Sequence, residues 1–149
     1  MRIVVQRVSN AKVEIDAQIA SQIDKGLLVY LSVTHDDTET DAKFIADKIT
    51  NLRIFGDDEG KMNLSLCDIN GQVLLISNFT LHGDCRKGRR PGFDAAANPD
   101  HANQLYEKVI DIIKGQGVDV QTGIFAASMQ VTSTNDGPVT FILDTEKIP

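Results

Sequence analysis

The chain has 149 residues, 42% of them hydrophobic, and a formal net charge of −6, so we expect one domain with a buried core over residues 1–149. An isoelectric point near 4.9 argues against a protein that holds long stretches of nucleic acid phosphate, DNA included. No apolar run is long enough for a membrane span, and the N-terminal residues lack the apolar block of a signal peptide. We therefore expect a soluble, cytoplasmic protein with no membrane partner.

The N-terminal part of the chain has the pattern of three strands. Residues 2–8 and 11–16 carry β-branched residues with partial alternation, and Ser9-Asn10 between them suggests a hairpin. After Gly26, a continuous apolar run over residues 27–33 is typical of a buried central strand. The sequence thus predicts a hairpin followed by a strand inside the sheet.

A first helix is predicted next. Thr38 to Asp41 has the spacing of a capping box, and apolar residues follow it at intervals of three and four. These apolar residues are Ala42, Ile45, Ala46, Ile49 and Leu52. Residues 53–55 suggest a short strand before the polar loop 56–60, and residues 72–76 suggest a second core strand.

A second helix follows a turn-rich loop over residues 82–98. Asn98 and Pro99 fit the N-cap and the first helical position, and an apolar stripe then continues to Gly115. The stripe consists of Ala102, Leu105, Tyr106, Val109, Ile112 and Ile113.

Three strand patterns complete the chain, at residues 118–122, 128–134 and 138–144. Together the elements predict an α/β or α+β domain with a mixed or mainly antiparallel sheet and two helices.

Common catalytic motifs are absent from the sequence: it has no nucleophile elbow, phosphate-binding loop, dinucleotide fingerprint or zinc-protease motif. His35, His82 and His101 lie far apart, so a metal site made of them would need an unsupported coincidence of folding. We expect neither a metal nor a cofactor. Cys67 and Cys85 lack ligand spacing and are expected to be reduced.

Polar residues follow the apolar strand 72–76 abruptly, in the segment Ser77-Asn78-Phe79-Thr80-Leu81. Sites often form where strands end, and Ser77 or Thr80 is a candidate nucleophile. A nucleophilic hydroxyl needs a neighbouring base, and His82 is the only one near in sequence. From local sequence alone, the favoured alternative is that both hydroxyl groups hydrogen-bond the backbone at the strand end.

Four cations lie within five residues of this acidic chain: Arg86, Lys87, Arg89 and Arg90. Such a run is either a solvated loop or a contact to phosphate, and the sequence favours neither.

The segment Thr134 to Thr140 reads TNDGPVT. Asn-Asp-Gly alone is typical of an ordinary turn between strands. Pro138, however, lacks an N–H and suits a strand start or an edge, and X-Pro is where a cis peptide bond costs least. A cis bond would direct successive carbonyl groups to one side, as a rigid acceptor pair for an amine. The sequence leaves both interpretations open.

Five segments resemble the D-aminoacyl-tRNA deacylases in order and in spacing, and the likeness extends over essentially the whole chain. They are RIVVQRVSNAKVEID at residues 2–16, LISNFTL at 75–81, RRPGF at 89–93, QTGIFAASMQV at 121–131 and NDGPVT at 135–140. The resemblance implies a homodimer with a compact β-barrel-like fold and outer helices. It also implies hydrolysis of the ester that joins a D-amino acid to the 3′ end of tRNA.

In that family the Gly-Pro pair is cis and enters the active site of the other subunit, a role that passes here to Gly137 and Pro138. Their carbonyl oxygens would accept the amine of a D-amino acid, whereas an L side chain would collide with them, so selection is by rejection. Glycine has no side chain to reject, so glycyl-tRNA is expected to be attacked too.

The main departure from the family pattern is Asn78, where the family usually has Gln. The backbone N–H groups of Phe79 and Thr80 are expected to be unaffected by this change and to stabilise the ester carbonyl as charge develops. For the attack itself we favour assistance by the terminal 2′-OH of the tRNA over the Thr80 side chain, because no convincing base is present.

The resemblance further places Phe125 and Met129 near the terminal adenosine, although core packing is an equal alternative for Phe125. The loop with Arg86, Lys87, Arg89 and Arg90 would contact acceptor-stem phosphates. Two rival functions remain: editing of misattached L-amino acids, and a non-catalytic module that binds the tRNA end.

Overall fold

The computed structural model describes residues 1–146, which form a six-stranded mixed sheet, a two-stranded ribbon and two helices. The strands are β1 Arg2–Ile15, β2 Gln18–Ile23, β3 Gly26–Ser32, β4 Phe55–Gly56, β5 Met62–Leu64, β6 Gln72–Ser77, β7 Asp119–Thr122 and β8 Gln130–Asp144. The helices are α1 Glu39–Asn51 and α2 Pro99–Gly115, and a 3-10 turn covers Phe79–His82. The predicted mixed sheet with two helices is confirmed.

The sheet has the order β2-β1-β3-β6-β7, and β8 lies along β1. The long strand β1 pairs antiparallel with β2, β3 and β8, whereas β3–β6 and β6–β7 are parallel pairs. The Ser21 hydroxyl on β2 donates to the Thr122 carbonyl on β7 at 2.7 Å. This bond joins the two ends of the strand order, so the sheet forms a nearly closed barrel.

The predicted hairpin at Ser9-Asn10 is wrong. Residues 2–15 form one strand, because the first part of β1 pairs with β3, the second part pairs with β2, and β8 follows both. The chain turns instead at Asp16-Ala17, whose φ angles of 51° and 62° are left-handed. The strand β2, which follows this turn, was not predicted.

The two predicted strands 128–134 and 138–144 are likewise one strand, β8. Asn135 pairs with Val8 and Thr140 pairs with Gln6, so residues 136–139 lie opposite Arg7 alone. These four residues, hereafter the 136–139 bulge, leave the ladder without ending the strand. The expected turn is therefore a bulge within a paired strand.

The predicted strand at residues 53–55 is shifted: β4 covers Phe55–Gly56 and pairs with β5, a strand that was not predicted. Both helices begin where predicted, and their apolar stripes pack on the sheet. The buried helical residues are Ala42, Ile45, Ala46 and Ile49 of α1 with Leu105, Tyr106, Val109, Ile110 and Ile113 of α2. No helix among residues 1–146 is both long enough and apolar enough to cross a membrane.

Candidate active site

The polar segment after β6 lies where two parallel strands end at the same edge of the sheet. Leu31 of β3 pairs with Ser77 of β6, and the Asn78 N–H donates to the Leu31 carbonyl at 2.8 Å. The chain then leaves the sheet as the 3-10 turn Phe79–His82. Beyond this edge no strand of residues 1–146 pairs with the chain, so side chains and amides of the segment can bind a ligand.

Asn78 caps this turn. Its Oδ1 accepts from the Thr80 N–H at 3.3 Å and from the Thr80 hydroxyl at 2.5 Å. The Thr80 N–H, one of the two amides expected to stabilise the ester carbonyl, is therefore engaged by the Asn78 side chain. The Phe79 N–H, in contrast, has no hydrogen-bond partner among residues 1–146 and is available as a donor.

His82, the base nearest to Thr80 in sequence, is bonded elsewhere. The ring is buried, and its Nδ1 lies 2.6 Å from the Ser32 hydroxyl, which in turn lies 3.4 Å from the Phe79 carbonyl oxygen. Burial lowers the pKa of His82, and the positive charge of Arg2 lowers it further. His82 is thus a neutral side chain that supports the turn through Ser32, and it does not activate Thr80.

Arg2 anchors the same turn from the sheet. Its Nη1 donates to the Leu81 carbonyl at 2.8 Å, and its Nε donates to Asp144 at 2.8 Å. The N-terminal ammonium of Met1 is buried nearby and donates to Asp37 at 2.6 Å. Sequence reasoning missed these anchors, because each joins residues that are remote in the chain.

Two cavities flank the turn and share Ser77, Phe79 and Ala126 as lining residues. The larger, hereafter the apolar cavity, has a volume of about 380 Å³. Its lining also includes Ser32, Val33, Phe93, Ala96, Ala97, Pro99, Ala102 and Phe125. The smaller, of about 290 Å³, includes Tyr30, Asn78 and Met129.

The two aromatic or thioether residues expected at the site are thus divided between neighbouring cavities. Phe125 is half-buried in the apolar cavity and lies 6.1 Å from the ring of Tyr106, whereas Met129 lines the smaller cavity. Exposed Phe79 packs edge-to-face on Phe93 with ring centres 5.0 Å apart. Phe79 therefore lies between a mainly apolar cavity, whose phenyl rings suit a base, and a smaller cavity with both polar and apolar lining residues.

The basic loop begins beside the turn. Arg86 makes a double contact with Asp84, at 2.8 and 2.7 Å, and this guanidinium holds the pKa of Asp84 far below its usual range. Lys87, Arg89 and Arg90 are exposed, and none of them makes an ion pair within residues 1–146. Three cations of the run are therefore available to an anionic partner.

Gly137 and Pro138 are exposed on the 136–139 bulge, and their peptide bond is cis. Arg7 holds the bulge: its Nε lies 3.3 Å from the Asp136 carbonyl oxygen and 3.2 Å from the Asp136 carboxylate. The Asn135 side chain accepts from the Val139 N–H at 3.2 Å. Neither Gly137 nor Pro138 lines the cavities beside the turn of its own chain.

The remaining candidates are not brought to the turn. His35 Nε2 lies 2.6 Å from the Asp94 carbonyl oxygen, and His101 Nε2 lies 2.9 Å from that of Asp37. Within residues 1–146, His, Cys, Asp and Glu form no cluster of three that could hold a metal ion. Cys67 and Cys85 are exposed and unpaired, as predicted.

Comparison with known proteins is consistent over the whole chain. The chain is 57% identical over 148 residues to a D-aminoacyl-tRNA deacylase from Fervidobacterium nodosum, with 99% of each chain covered. It is 60% identical over 147 residues to the protein of that name from Clostridioides difficile, again with 99% of each covered.

Solved structures agree in fold. A structure described as c-Myc DNA Unwinding Element Binding Protein superimposes with a TM-score of 0.93 at 34% identity, covering 99% of this chain and 100% of its own. A structure described as a probable eukaryotic D-amino acid tRNA deacylase superimposes with a TM-score of 0.82, covering 95% of this chain and 97% of its own. Its sequence is 17% identical, so this similarity supports the fold alone. The family model described as D-Tyr-tRNA(Tyr) deacylase matches residues 4–144. The chain belongs to the D-Tyr-tRNA(Tyr) deacylase family.

Proposed function

We propose that this protein hydrolyses the ester of D-aminoacyl-tRNA and releases tRNA and the free D-amino acid. The oxygen of water adds to the acyl carbon, the bond from that carbon to the ribose 3′ oxygen breaks, and a proton of the water ends on the 3′ oxygen. The observation that carries the proposal is the unpaired Phe79 N–H at a turn between two cavities, of which the larger is mainly apolar. A free amide at this position fits the oxyanion that develops during attack.

The apolar cavity is the proposed place of the terminal adenosine. Its phenyl rings, Phe93 and Phe125, offer the flat surfaces on which bases stack, and its lining is otherwise mostly small and apolar. The acyl group then lies across the turn, over Ser77 and Asn78, toward the smaller cavity with Met129. This arrangement puts the ester at the shared wall of the cavities, next to Phe79.

The attacking water is assisted by the terminal 2′-hydroxyl of the tRNA, and the protein positions the ester and this hydroxyl. Thr80 supports this assignment, because its hydroxyl donates to the amide oxygen of Asn78, which is not a base. His82 supports it as well, because its Nδ1 is engaged with Ser32. Removal of the 2′-hydroxyl from the terminal adenosine should therefore slow hydrolysis while leaving binding intact.

Selection of the D-ester is assigned to Gly137 and Pro138 of a second copy of the chain. Both residues are exposed on the 136–139 bulge and do not line the cavities of their own subunit, so a homodimer would bring a partner's bulge to the turn. Ile142, on the same strand, is 65% exposed and offers apolar surface for such an interface. The two carbonyl groups would accept the substrate amine and exclude an L side chain.

The test is incubation of the purified protein with D-tyrosyl-tRNA and L-tyrosyl-tRNA in parallel at low enzyme concentration. Loss of the D-ester alone is the expected result, and glycyl-tRNA, which has no side chain to exclude, should also be hydrolysed. Loss of the L-ester would favour the editing of misattached L-amino acids. Loss of no ester would favour a module that only binds the tRNA end.

A further inference from the structure

Three cavities lie in succession along residues 92–97. Ala96 and Ala97 line the apolar cavity, and Ala95 lines a neighbouring cavity of about 600 Å³, hereafter the polar cavity. Ala95 also lines a third cavity, of about 280 Å³, together with Lys87 and Arg90 of the basic loop. One short segment of backbone thus connects the proposed adenosine cavity to the free cations through the polar cavity.

The wall between the first two cavities is thin. Thr34 and Ala96 form an isolated β-bridge, and while Ala96 lines the apolar cavity, Thr34 lines the polar one. Elsewhere in the wall, Gly83 of the polar cavity lies close to the ring of Phe93 of the apolar cavity. A Cβ added to Gly83 would be only 3.1 Å from that ring, so no other side chain fits between them. Groups bound in the two cavities would therefore be immediate neighbours.

The polar cavity carries unused hydrogen-bonding groups. Thr34 is only 7% exposed, yet its hydroxyl has no partner among residues 1–146, an arrangement that normally costs free energy. His82 uses Nδ1 for Ser32, and its Nε2 makes no hydrogen bond within the same residues. Asp36, which also lines the cavity, is exposed and has no ion-pair or hydrogen-bond partner there. The exposed Asp36 carboxylate and the free Nε2 of His82 thus border the cavity, and the Thr34 hydroxyl lies enclosed in its wall without a partner.

The charge of the lining favours a base over a phosphate. Among the lining cations, Arg86 is paired with Asp84 and Arg2 with Asp144, whereas Asp36 and Glu146 make no ion pair within residues 1–146, so an anion would be repelled. A carboxylate is instead the natural acceptor for the exocyclic amine of cytosine, and hydroxyl or imidazole groups suit its ring nitrogen and carbonyl. In every mature tRNA the nucleotide before the terminal adenosine is a cytidine.

We propose that the polar cavity binds the base of this penultimate cytidine, with Asp36 accepting from its amine and the enclosed Thr34 hydroxyl, uncovered as the base enters, donating to its acceptor edge. The inference rests on the proposed function, since it needs the terminal adenosine in the apolar cavity. The next phosphates then lie toward Lys87 and Arg90. The site reads the invariant end of tRNA, so it adds affinity for every tRNA without regard to the amino acid.

The first test compares two substrates that differ in the penultimate nucleotide. D-tyrosyl-tRNA contains it, whereas 3′-O-D-tyrosyladenosine does not. The variant Thr34→Val should raise KM for the tRNA about threefold to tenfold and leave hydrolysis of the adenosine ester unchanged. The fold should tolerate the change, because it removes a buried hydroxyl that has no partner. Thr40→Val, on the exposed start of α1, is the matched control and should change neither rate.

The second test changes the base. Wild-type protein should hydrolyse D-tyrosyl-tRNA with a penultimate uridine less efficiently, and Asp36→Ala should impair the cytidine substrate but not the uridine substrate. An equal effect of Thr34→Val on both substrates of the first test, or no effect on either, would overturn the proposal, as would indifference to uridine. If wild-type protein hydrolyses neither D-tyrosyl-tRNA nor 3′-O-D-tyrosyladenosine, the proposed function has failed. If it hydrolyses both, and neither Thr34→Val nor Asp36→Ala changes the kinetics, the cytidine subsite alone is rejected.

Discussion

Arg7 holds the 136–139 bulge, and its replacement by methionine tests whether the position of that bulge sets stereochemical selection. The guanidinium donates to the Ile54 carbonyl at 2.8 Å, to the Asp136 carbonyl at 3.3 Å and to the Asp136 carboxylate at 3.2 Å. Its side chain is 15% exposed, so the first of these contacts is well shielded from water, whereas the Asp136 side chain is 54% exposed. Arg7→Met keeps the aliphatic stem and removes all three contacts.

The expected cost follows from these contacts. Hydrogen bonds from a charged donor contribute about 1.5 to 3 kcal/mol each, the long one at the lower end, and an ion pair with an exposed partner contributes about 0.2 to 1 kcal/mol. Since such values do not add fully, we expect Arg7→Met to lower the free energy of unfolding by about 2 to 4 kcal/mol. If about 1.4 kcal/mol of this loss falls on the bulge itself, the displaced form of the bulge becomes about ten times more populated. Because the displaced bulge no longer excludes the L side chain, D-over-L selectivity should fall about tenfold.

The assay pairs urea denaturation with kcat/KM for D- and L-tyrosyl-tRNA. Arg53→Met is the matched control, because exposed Arg53 bonds Asn63 rather than the bulge, and the change in charge and shape is the same. Arg53→Met should leave selectivity unchanged. If Arg7→Met loses stability as expected but keeps the wild-type D/L ratio, the position of the bulge does not determine selection.

Three further perturbations separate the roles of groups near the turn. Thr80→Val should retain kcat within about threefold, because the lost hydroxyl only donates to Asn78; loss of turnover with intact tRNA binding would restore Thr80 as a nucleophile. Tyr106→Phe should lower the unfolding free energy by about 1 to 2 kcal/mol in urea titrations, because the buried Tyr106 hydroxyl donates to the Leu75 carbonyl at 2.7 Å, and an unchanged midpoint would contradict this. Burial lowers the pKa of His82 below its usual 6.5, so as pH falls the unfolded chain takes up the proton first, and the unfolding free energy should decline from about pH 7 to pH 5. His82→Asn should flatten that decline, and identical pH slopes for the two proteins would refute the assignment.

The helices were predictable because their signals are local. Asn98 accepts from the His101 N–H at 3.0 Å, and α2 spans Pro99–Gly115 as the sequence predicts. The strands were less predictable, because pairing on both sides of β1 overrides the turn preference of Ser9-Asn10. The true turn, Asp16-Ala17, contains no glycine and so gave no sequence signal despite its positive φ angles.

The site was predictable in its location and not in its internal contacts. The abrupt change from apolar β6 to Ser77 and Asn78 indicated a site at the end of a strand, where the structure has the two cavities. The bond between Ser32 and His82 joins residues 50 apart in sequence, which no local pattern reveals. The capping role of Asn78 had a local signal in the Asn-Phe-Thr sequence, because asparagine commonly bonds the backbone two residues on.

Mixed dimers test most directly whether a partner's Gly137 and Pro138 complete the site. Gly137→Ala should displace the bulge, because the added Cβ would lie 2.7 Å from Val139 and φ is +129°. Ala102→Trp should fill the apolar cavity and leave the bulge intact. Each variant alone should be inactive on D-tyrosyl-tRNA, and subunits mixed by refolding should recover about one quarter of wild-type activity, from one complete site in half of the dimers. A mixture that stays inactive although heterodimers form, or a Gly137→Ala protein that keeps wild-type activity on D-tyrosyl-tRNA, would contradict the completion of the site by the partner's bulge.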